Sequence, residues 1–245
     1  MKDSDYNRVL VKLSGESLKG DSNLGINYES LNFLANEFKE ATELGVQIAV
    51  VIGGGNFWRG HEWEALGMDR ATADYTGMLA TLMNALALQD SLEKNGMAVR
   101  TMSALEVQAV AETYIRRKAT SHLSKKRIVI FGAGIGDPFM TTDTAAALRS
   151  IEIGADILCM SKNQVDGVYD VDPISNPNAK KFDNLEYIDA INLRLKIMDG
   201  TALSLCMEND LPIVVFDLFK KGNLSKVLSG LKIGTTISNS KTKNS

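Results

Sequence analysis

The sequence predicts an α/β protein: a mostly parallel central sheet with helices on both faces, a three-layer αβα sandwich. Short β-branched runs alternate with helix-period segments through nearly all of the 245 residues, and that alternation builds parallel sheets buried between helices. Several runs also end in glycine or beside a cation, as at Val51-Ile52-Gly53-Gly54-Gly55 and Val11-Lys12-Leu13-Ser14-Gly15. Such strand ends are where open α/β sheets bind ligands. No repeat, low-complexity tract or Pro/Gly-rich linker divides the chain, so residues 1–245 read as a single domain.

The elements follow in order. Residues 8–13 form the first strand. Residues 29–44 place Leu31, Leu34, Phe38 and Ala41 at three- and four-residue steps, a helix that Gly45 stops. A strand over 46–52 leads into the triple glycine, and a long helix rich in Met, Leu and Ala spans 74–94, closed by Asn95-Gly96. Residues 99–102 read as strand, 104–114 as helix, and 127–131 as a strand ending in Gly132-Ala133-Gly134-Ile135-Gly136. A helix covers 143–153 with Thr142 or Asp143 as its cap. A strand over 156–160 precedes a polar excursion to about Leu185, in which Asp166-Gly167 is a hairpin-turn signal. A helix to Asn209, a strand over 213–216 and a helix over 224–229 complete the order, and the polar run 238–245 reads as a loose tail.

Composition excludes several classes. A net charge of −3 and pI near 5.5 argue against a nucleic-acid footprint, and the Arg116-Arg117-Lys118 and Lys125-Lys126-Arg127 clusters read as solvated helix ends. Cys159 and Cys206 lie in apolar surroundings without CxxC or histidine spacing, so they read as reduced core thiols rather than a metal site or disulfide. Acidic residues near the N-terminus give no secretory signal. The most apolar helix-length segment, 77–89, is too short to span a bilayer. The expectation is a cytoplasmic protein that binds neither membrane nor nucleic acid.

Lys12, Gly53-Gly54-Gly55, Gly132–Gly136 and Lys162-Asn163 all fall just past strand ends, so the fold gathers them on one edge of the sheet. Glycine lets a main chain approach a ligand closely, and bunched amide N–H groups form an anion cavity. Gly54 and Gly55 supply such groups, and Arg59 adds a planar charged fork suited to phosphate oxygens. Lys12 either bridges nucleotide phosphates or neutralises Glu16. Two phosphate cradles on neighbouring strands point to an enzyme holding two phosphorylated molecules. The chain has no GxxxxGK[ST], no kinase HRD/DFG set and no GxGxxG opening a helix, so any phosphoryl transfer uses another scaffold.

Lys12-Leu13-Ser14-Gly15-Glu16, Gly53-Gly54-Gly55-Asn56, Arg59-Gly60, Met68-Asp69-Arg70, Asp74-Tyr75-Thr76-Gly77-Met78, Thr141-Thr142-Asp143 and Val165-Asp166-Gly167-Val168-Tyr169 resemble the bacterial uridylate (UMP) kinases of the amino acid kinase superfamily. The resemblance runs over about residues 8–238 and implies the amino acid kinase fold, with an acceptor part near 1–155 and an ATP part near 156–238. It implies transfer of the ATP γ-phosphoryl group to UMP, giving UDP and ADP in pyrimidine nucleotide synthesis, with Mg²⁺ accompanying ATP and no metal ligand named on the chain.

The same resemblance assigns residues. Lys12, Arg59 and Asp143 are catalytic, Asp143 either orienting Lys12 or merely capping its helix. Lys12, Leu13, Ser14, Gly15, Gly55, Arg59, Asn163, Tyr169 and Asp172 meet ATP. Gly54, Asp74, Ile135, Gly136, Asp137, Pro138, Phe139, Met140, Thr141 and Thr142 meet UMP, Asp74 being either a ribose-hydroxyl acceptor or an N-cap. The chain departs from the family where Asp137 replaces an asparagine; its charge near an acceptor phosphate is expected to turn to solvent. The resemblance further implies a homohexamer, activated by GTP and inhibited by UTP, with Gly20, Asp21, Ser22, Asn23, Leu24 and Gly25 in an effector loop. A sister kinase acting on a carboxylate or carbamate, which needs no Asp74, and a non-catalytic nucleotide sensor are the rival readings.

Overall fold

The computed structural model describes residues 4–20, 22, 24–162, 165–195 and 197–239. Strand β1 (Arg8–Leu13) lies at the middle of the molecule and shows how the layers arise. Val9, Val11 and Leu13 point to one face, where they pack with Leu34 and Phe38 of helix α1 (Tyr28–Thr42). Leu10 points to the other face. Period-two alternation with both faces apolar is what a central parallel strand requires. Next come β2 (Gln47–Ile52), α2 (Gly60–Ala65) and α3 (Arg70–Lys94). The chain continues through β3 (Val99–Ser103), β4 (Glu112–Thr113), α4 (Arg116–Ser124), β5 (Ile128–Gly132) and α5 (Thr142–Ile153).

The second half runs through β6 (Ile157–Lys162), the pair β7 (Val168–Tyr169) and β8 (Lys181–Phe182), and β9 (Asn184–Glu186). It ends with α6 (Tyr187–Asn192), α7 (Gly200–Glu208), β10 (Ile213–Asp217), α8 (Asn223–Leu228) and β11 (Thr235–Ser238). The main sheet has nine strands in the order β4-β3-β5-β2-β1-β6-β10-β11-β9. All its pairings are parallel except β10 with β11. Side chains of α1, α3 and α8 fill the core on one face, and those of α4, α5, α6 and α7 fill it on the other. The expected αβα sandwich is therefore present. From β1 the chain moves outward to β2, β3 and β4, comes back to insert β5 between β2 and β3, then crosses to β6 on the opposite side of β1. That reversal is a switch point, and open α/β sheets bind ligands at such points.

Several local expectations are corrected. Residues 104–114 are not a helix: Tyr114 N–H donates to the Ser103 carbonyl at 2.9 Å and Met102 pairs with Glu112. Tyr114 is held below the Arg149 guanidinium, edge-on to Phe131, and donates to Glu152, so tertiary contacts outweigh local helical preference. Helix α3 starts at Arg70, because Asp69 accepts from Thr72 N–H at 2.9 Å as the true cap. Asp74 thus sits in the second turn. Thr141, rather than Thr142 or Asp143, caps α5.

The helix expected to run to Asn209 is two helices, broken where Asp199 leaves α6 behind to cap α7. Asp166-Gly167 is not the turn of a hairpin, since residues 170–180 connect β7 to β8. Glycine is required at 167 for another reason: a Cβ there would lie 2.7 Å from Thr235 Oγ1. The tail expectation fails at its first residues, because Ser238 ends β11 and Asn239 donates to the Met207 carbonyl at 2.9 Å; residues 240–245 lie outside those described. The two basic clusters do fall at the ends of α4, the first as its opening turn and the second just beyond its last, and both cysteines are buried and free. Among the described residues, no helix is long and apolar enough to cross a membrane.

Candidate active site

The carboxyl ends of β2, β1 and β6 lie side by side, with Lys12 opposite Val51 on one neighbour and Met160 on the other. The triple glycine continues β2, Gly53 N–H still donating to the Leu13 carbonyl at 3.0 Å. The Gly54 carbonyl then accepts from Phe57 N–H (2.9 Å) and Trp58 N–H (3.0 Å), a turn that aims the Gly55 N–H of the same peptide the opposite way. Among the described residues, neither the Gly54 nor the Gly55 N–H has a protein acceptor. Both line a cavity of about 310 Å³. Buried N–H groups are nearly always paired, so two free donors on a cavity wall make an anion site.

Glycine is needed here for close approach. A Cβ on Gly15 would lie 2.7 Å from Gly55 N and 2.6 Å from Asn56 Oδ1, covering the free donor. A Cβ on Gly54 would lie 2.8 Å from the Gly77 carbonyl on α3. Ser14 leads into the single-turn 3-10 helix Gly15–Leu18 that lies against this turn, and Leu13 is fully buried in the core, so Leu13 offers the cleft only its backbone.

Charged pairs surround the cradle. Lys12 Nζ stands 2.8 Å from Asp143 Oδ1 in a mostly enclosed pair, so Asp143 orients the lysine and leaves the helix cap to Thr141. Arg59 meets Glu16 at 2.6 Å, and Lys19 takes the other Glu16 oxygen at 2.6 Å. Burial alone would raise the Glu16 carboxyl, but the hydrogen bonds and charges of Lys19 and Arg59 hold it below the usual carboxylate value. Lys162, at the end of β6, is pulled below the usual lysine value, first by burial and then by repulsion from Lys12, with Asp143 acting against both.

Two cavities open beside these strand ends, and Lys162 lines one of them. The 310 Å³ cavity also takes in Asp74, Ile135, Asp137, Met140, Thr141 and Thr142. Gly136, Pro138 and Phe139 stand outside its wall, and Phe139 is exposed, holding its N–H on Asp74 Oδ2 at 2.8 Å. Asp74 also receives Arg70 Nε at 2.9 Å. Asp137 is exposed and has no partner among the described residues, yet it still lines the cavity rather than turning away from it. The second cavity, about 530 Å³, includes Lys162, Tyr169 and Asp172. Tyr169 donates to Asp166 at 2.6 Å, which lowers the Asp166 carboxyl, and Asp172 Oδ1 accepts from Ile174 N–H. Asn163 lies outside the described residues, as do Asp21 and Asn23. Of the loop around them, Gly20 and Gly25 have positive φ, Ser22 and Leu24 are exposed, and Gly25 is bonded to Asn56 through both its N–H and its carbonyl.

Sequence reasoning missed three residues. Asp199 accepts from the Thr141 and Thr144 hydroxyls and so anchors the start of α5. Thr81 accepts Ala133 N–H at 2.7 Å, holding the glycine-rich turn after β5. Asn84 bonds the triple glycine itself. No local pattern marks any of them, since each acts across a long sequence separation.

Free amides beside cations, at the carboxyl edge of a parallel sheet that lacks a P-loop, define a phosphoryl-transfer class of α/β enzymes. Residues 7–217 match the amino acid kinase family, and the chain belongs to that family. The fold is similar to the crystal structure of UMP kinase from Bacillus anthracis, with a TM-score of 0.93 and 40% identity over 96% of this chain and 97% of that one. It is similar also to UMP kinase from Ureaplasma parvum, with a TM-score of 0.89 and 36% identity over 98% and 100% of the two chains. Uridylate kinase from Archaeoglobus fulgidus matches at a TM-score of 0.71 and 25% identity, over 94% and 99%.

Proposed function

We propose that the protein is a UMP kinase, transferring the γ-phosphoryl group of ATP to UMP. One observation carries the reading: a cradle with two free amide donors follows β2 and a lysine–aspartate pair stands on neighbouring β1, at the carboxyl edge of the sheet's switch point, with one cleft including Gly54 and Gly55 and another including Lys162 of β6. Phosphoryl transfer has a loose transition state, so the protein's task is to align two polyanions and neutralise charge on the moving group. In this reading residues up to about 155 hold the acceptor and residues 156–238 the donor.

UMP occupies the 310 Å³ cavity. Asp74, an acceptor-only carboxylate, takes hydrogen bonds from ribose hydroxyls. Ile135 and Met140 flank the base, and Thr141, Thr142 and the N-terminus of α5 receive the 5′-phosphate. ATP lies along Tyr169 and Asp172, with its phosphates reaching Ser14, Gly15 and Gly55. Lys12, oriented by Asp143, bridges the β- and γ-phosphates, and Arg59 offsets charge as the two nucleotides approach.

Among the described residues, no group of three or more His, Cys, Asp or Glu side chains gathers at one point. The nearby carboxylates Asp143 and Glu16 are already paired with cations. A Mg²⁺ ion accompanying ATP would be held mostly by phosphate oxygens and water, as this reluctantly dehydrated ion often is, and would neutralise part of the phosphate charge.

Tyr75, Leu79 and Met83 expose large apolar groups at four-residue steps along α3, a stripe that supports assembly into the proposed homohexamer. Activation by GTP, inhibition by UTP and a cytoplasmic setting complete the proposal. The deciding experiment is ADP release with UMP, CMP, N-acetylglutamate or no acceptor. UMP-dependent turnover, with little on the others, is expected; turnover on N-acetylglutamate alone, or none with UMP, overturns the reading.

A further inference from the structure

Three successive glycines are the most flexible segment a chain can make, yet a phosphate cradle works only if its donors are fixed before the substrate arrives. The turn at Phe57 and Trp58 fixes the Gly55 N–H. Something else must fix Gly54, whose N–H has no protein acceptor among the described residues.

The Gly53–Gly54 peptide is gripped from α3. Asn84 is fully buried, and its Nδ2 donates to the Gly53 carbonyl at 2.7 Å and to Asn56 Oδ1 at 2.7 Å. Asn56 returns a bond from its own Nδ2 to Asn84 Oδ1 at 2.9 Å and uses its second hydrogen on the Gly25 carbonyl at 2.8 Å. Every amide hydrogen of the pair is used, so neither side chain can flip without losing bonds in a buried place.

Peptide units are planar, and none here is cis. The carbonyl and N–H of one trans peptide therefore point in opposite directions. Anchoring the Gly53 oxygen on Asn84 turns the Gly54 N–H away from that anchor.

We infer that Asn84 is a positioning residue for phosphoryl transfer: its amide sets the plane of the Gly53–Gly54 peptide and so aims the Gly54 N–H at the phosphate being moved. Asn84 touches no substrate and acts only through this peptide. The inference rests on the kinase reading above. Only an amide of this length does the task, because aspartate has no hydrogen to give the Gly53 oxygen and leucine has no polar atom at all.

The test compares Asn84→Leu with Leu88→Ala, a buried core change on the same helix one turn away. Both variants lose thermal stability, and turnover is measured at a temperature where both are folded. Asn84→Leu is expected to lower kcat by about 10²-fold, the scale for a misplaced or lost preorganised donor. The KM for UMP stays within about threefold, because ribose and base contacts are untouched. Leu88→Ala keeps the parent kcat.

An Asn84→Leu enzyme whose kcat equals that of Leu88→Ala overturns the inference. If Asn84→Leu does not fold, Asn84→Ser, whose vacated space admits a water, is judged by the same kcat criterion. A parent enzyme without UMP-dependent ADP release refutes the kinase reading instead, so the two failures are distinct.

Discussion

The most direct test of the cradle is a single methyl group. In Gly54→Ala the new Cβ would stand 2.8 Å from the Gly77 carbonyl, 3.0 Å from Ala80 Cβ and 3.1 Å from Thr81 N. All three belong to the middle of α3, whose buried side chains Ala85, Leu88 and Leu92 are packed in the core. The helix cannot retreat, so the loop must. The nearest contact falls roughly half an ångström short of ordinary van der Waals separation, and that sets the displacement of the free N–H groups. Overpacking of this kind costs about 1–3 kcal/mol, which lowers the melting temperature of a chain this size by roughly 2–12 °C. Misplacement by about 1 Å costs on the order of 10²-fold in rate, so half that distance should cost about tenfold in kcat. Coupled ADP release at saturating UMP and ATP, beside a thermal melt, reads both. Gly54→Ala with kcat within twofold of the parent would refute the cradle argument.

Other outcomes follow from the same geometry. Lys12→Ala should reduce kcat by about 10²–10³ while the protein stays folded. If Asp143 acts by orienting Lys12, Lys12→Ala combined with Asp143→Asn should cost no more than Lys12→Ala alone; additive losses in steady-state kinetics would give Asp143 a separate role. Burial pushes both cysteine thiols up to about 12, so a thiol-reactive dye should label neither in the native protein and both after denaturation. Glu37 is buried, accepts the Gly222 N–H at 2.6 Å, and has its carboxyl raised above 4.5, first by burial. The folded state then binds this proton more tightly than the unfolded chain, so its stabilising effect is complete at low pH and fades as pH rises beyond about 4.5. Glu37→Gln keeps the acceptor and removes the titration, and its melting temperature relative to the parent should climb over that range; a gap independent of pH would contradict this.

The succession of strands and helices along the chain and the layer arrangement were legible because their causes are local. An apolar run with glycine after it states both a buried strand and its exposed end, and β1, β2, β5, β6 and β10 fall within two residues of their expected bounds. Errors fell where long-range contacts override local preference. Residues 104–114 have helical composition, but Tyr114 is fastened to Arg149 and Glu152 on α5, 35 or more positions along the chain. The break between α6 and α7 arises in the same way, because Asp199 is held by hydroxyls of Thr141 and Thr144. The start of α3 was a different kind of miss: Asp69 followed by Thr72 is a local capping pattern that Asp74 obscured.

The site was half legible, and the missing half is its charge balance. Sequence marks cations and glycines, because their chemistry is intrinsic to the residue. It does not settle which carboxylate each cation meets: Glu16, a candidate partner for Lys12, is taken by Arg59, Lys12 finds Asp143, which the family resemblance gives as one of two readings, and Arg70 finds Asp74 one helical turn on. These partners make the site nearly neutral at rest, and they divide its cations by how firmly each is held. Arg59 and Glu16 are substantially exposed, 44% and 31%, so their bridge is worth little and yields readily to an incoming phosphate. Lys12 and Asp143 are more enclosed, 15% and 21%, and separating them would leave a carboxylate poorly solvated beside the free amides. In the proposed kinase reading the arginine is the cation that would exchange its carboxylate for substrate, while the lysine would keep its partner and use its remaining hydrogens. A fixed ammonium beside a movable guanidinium suits a reaction in which one nucleotide must be held in line while the other arrives and leaves.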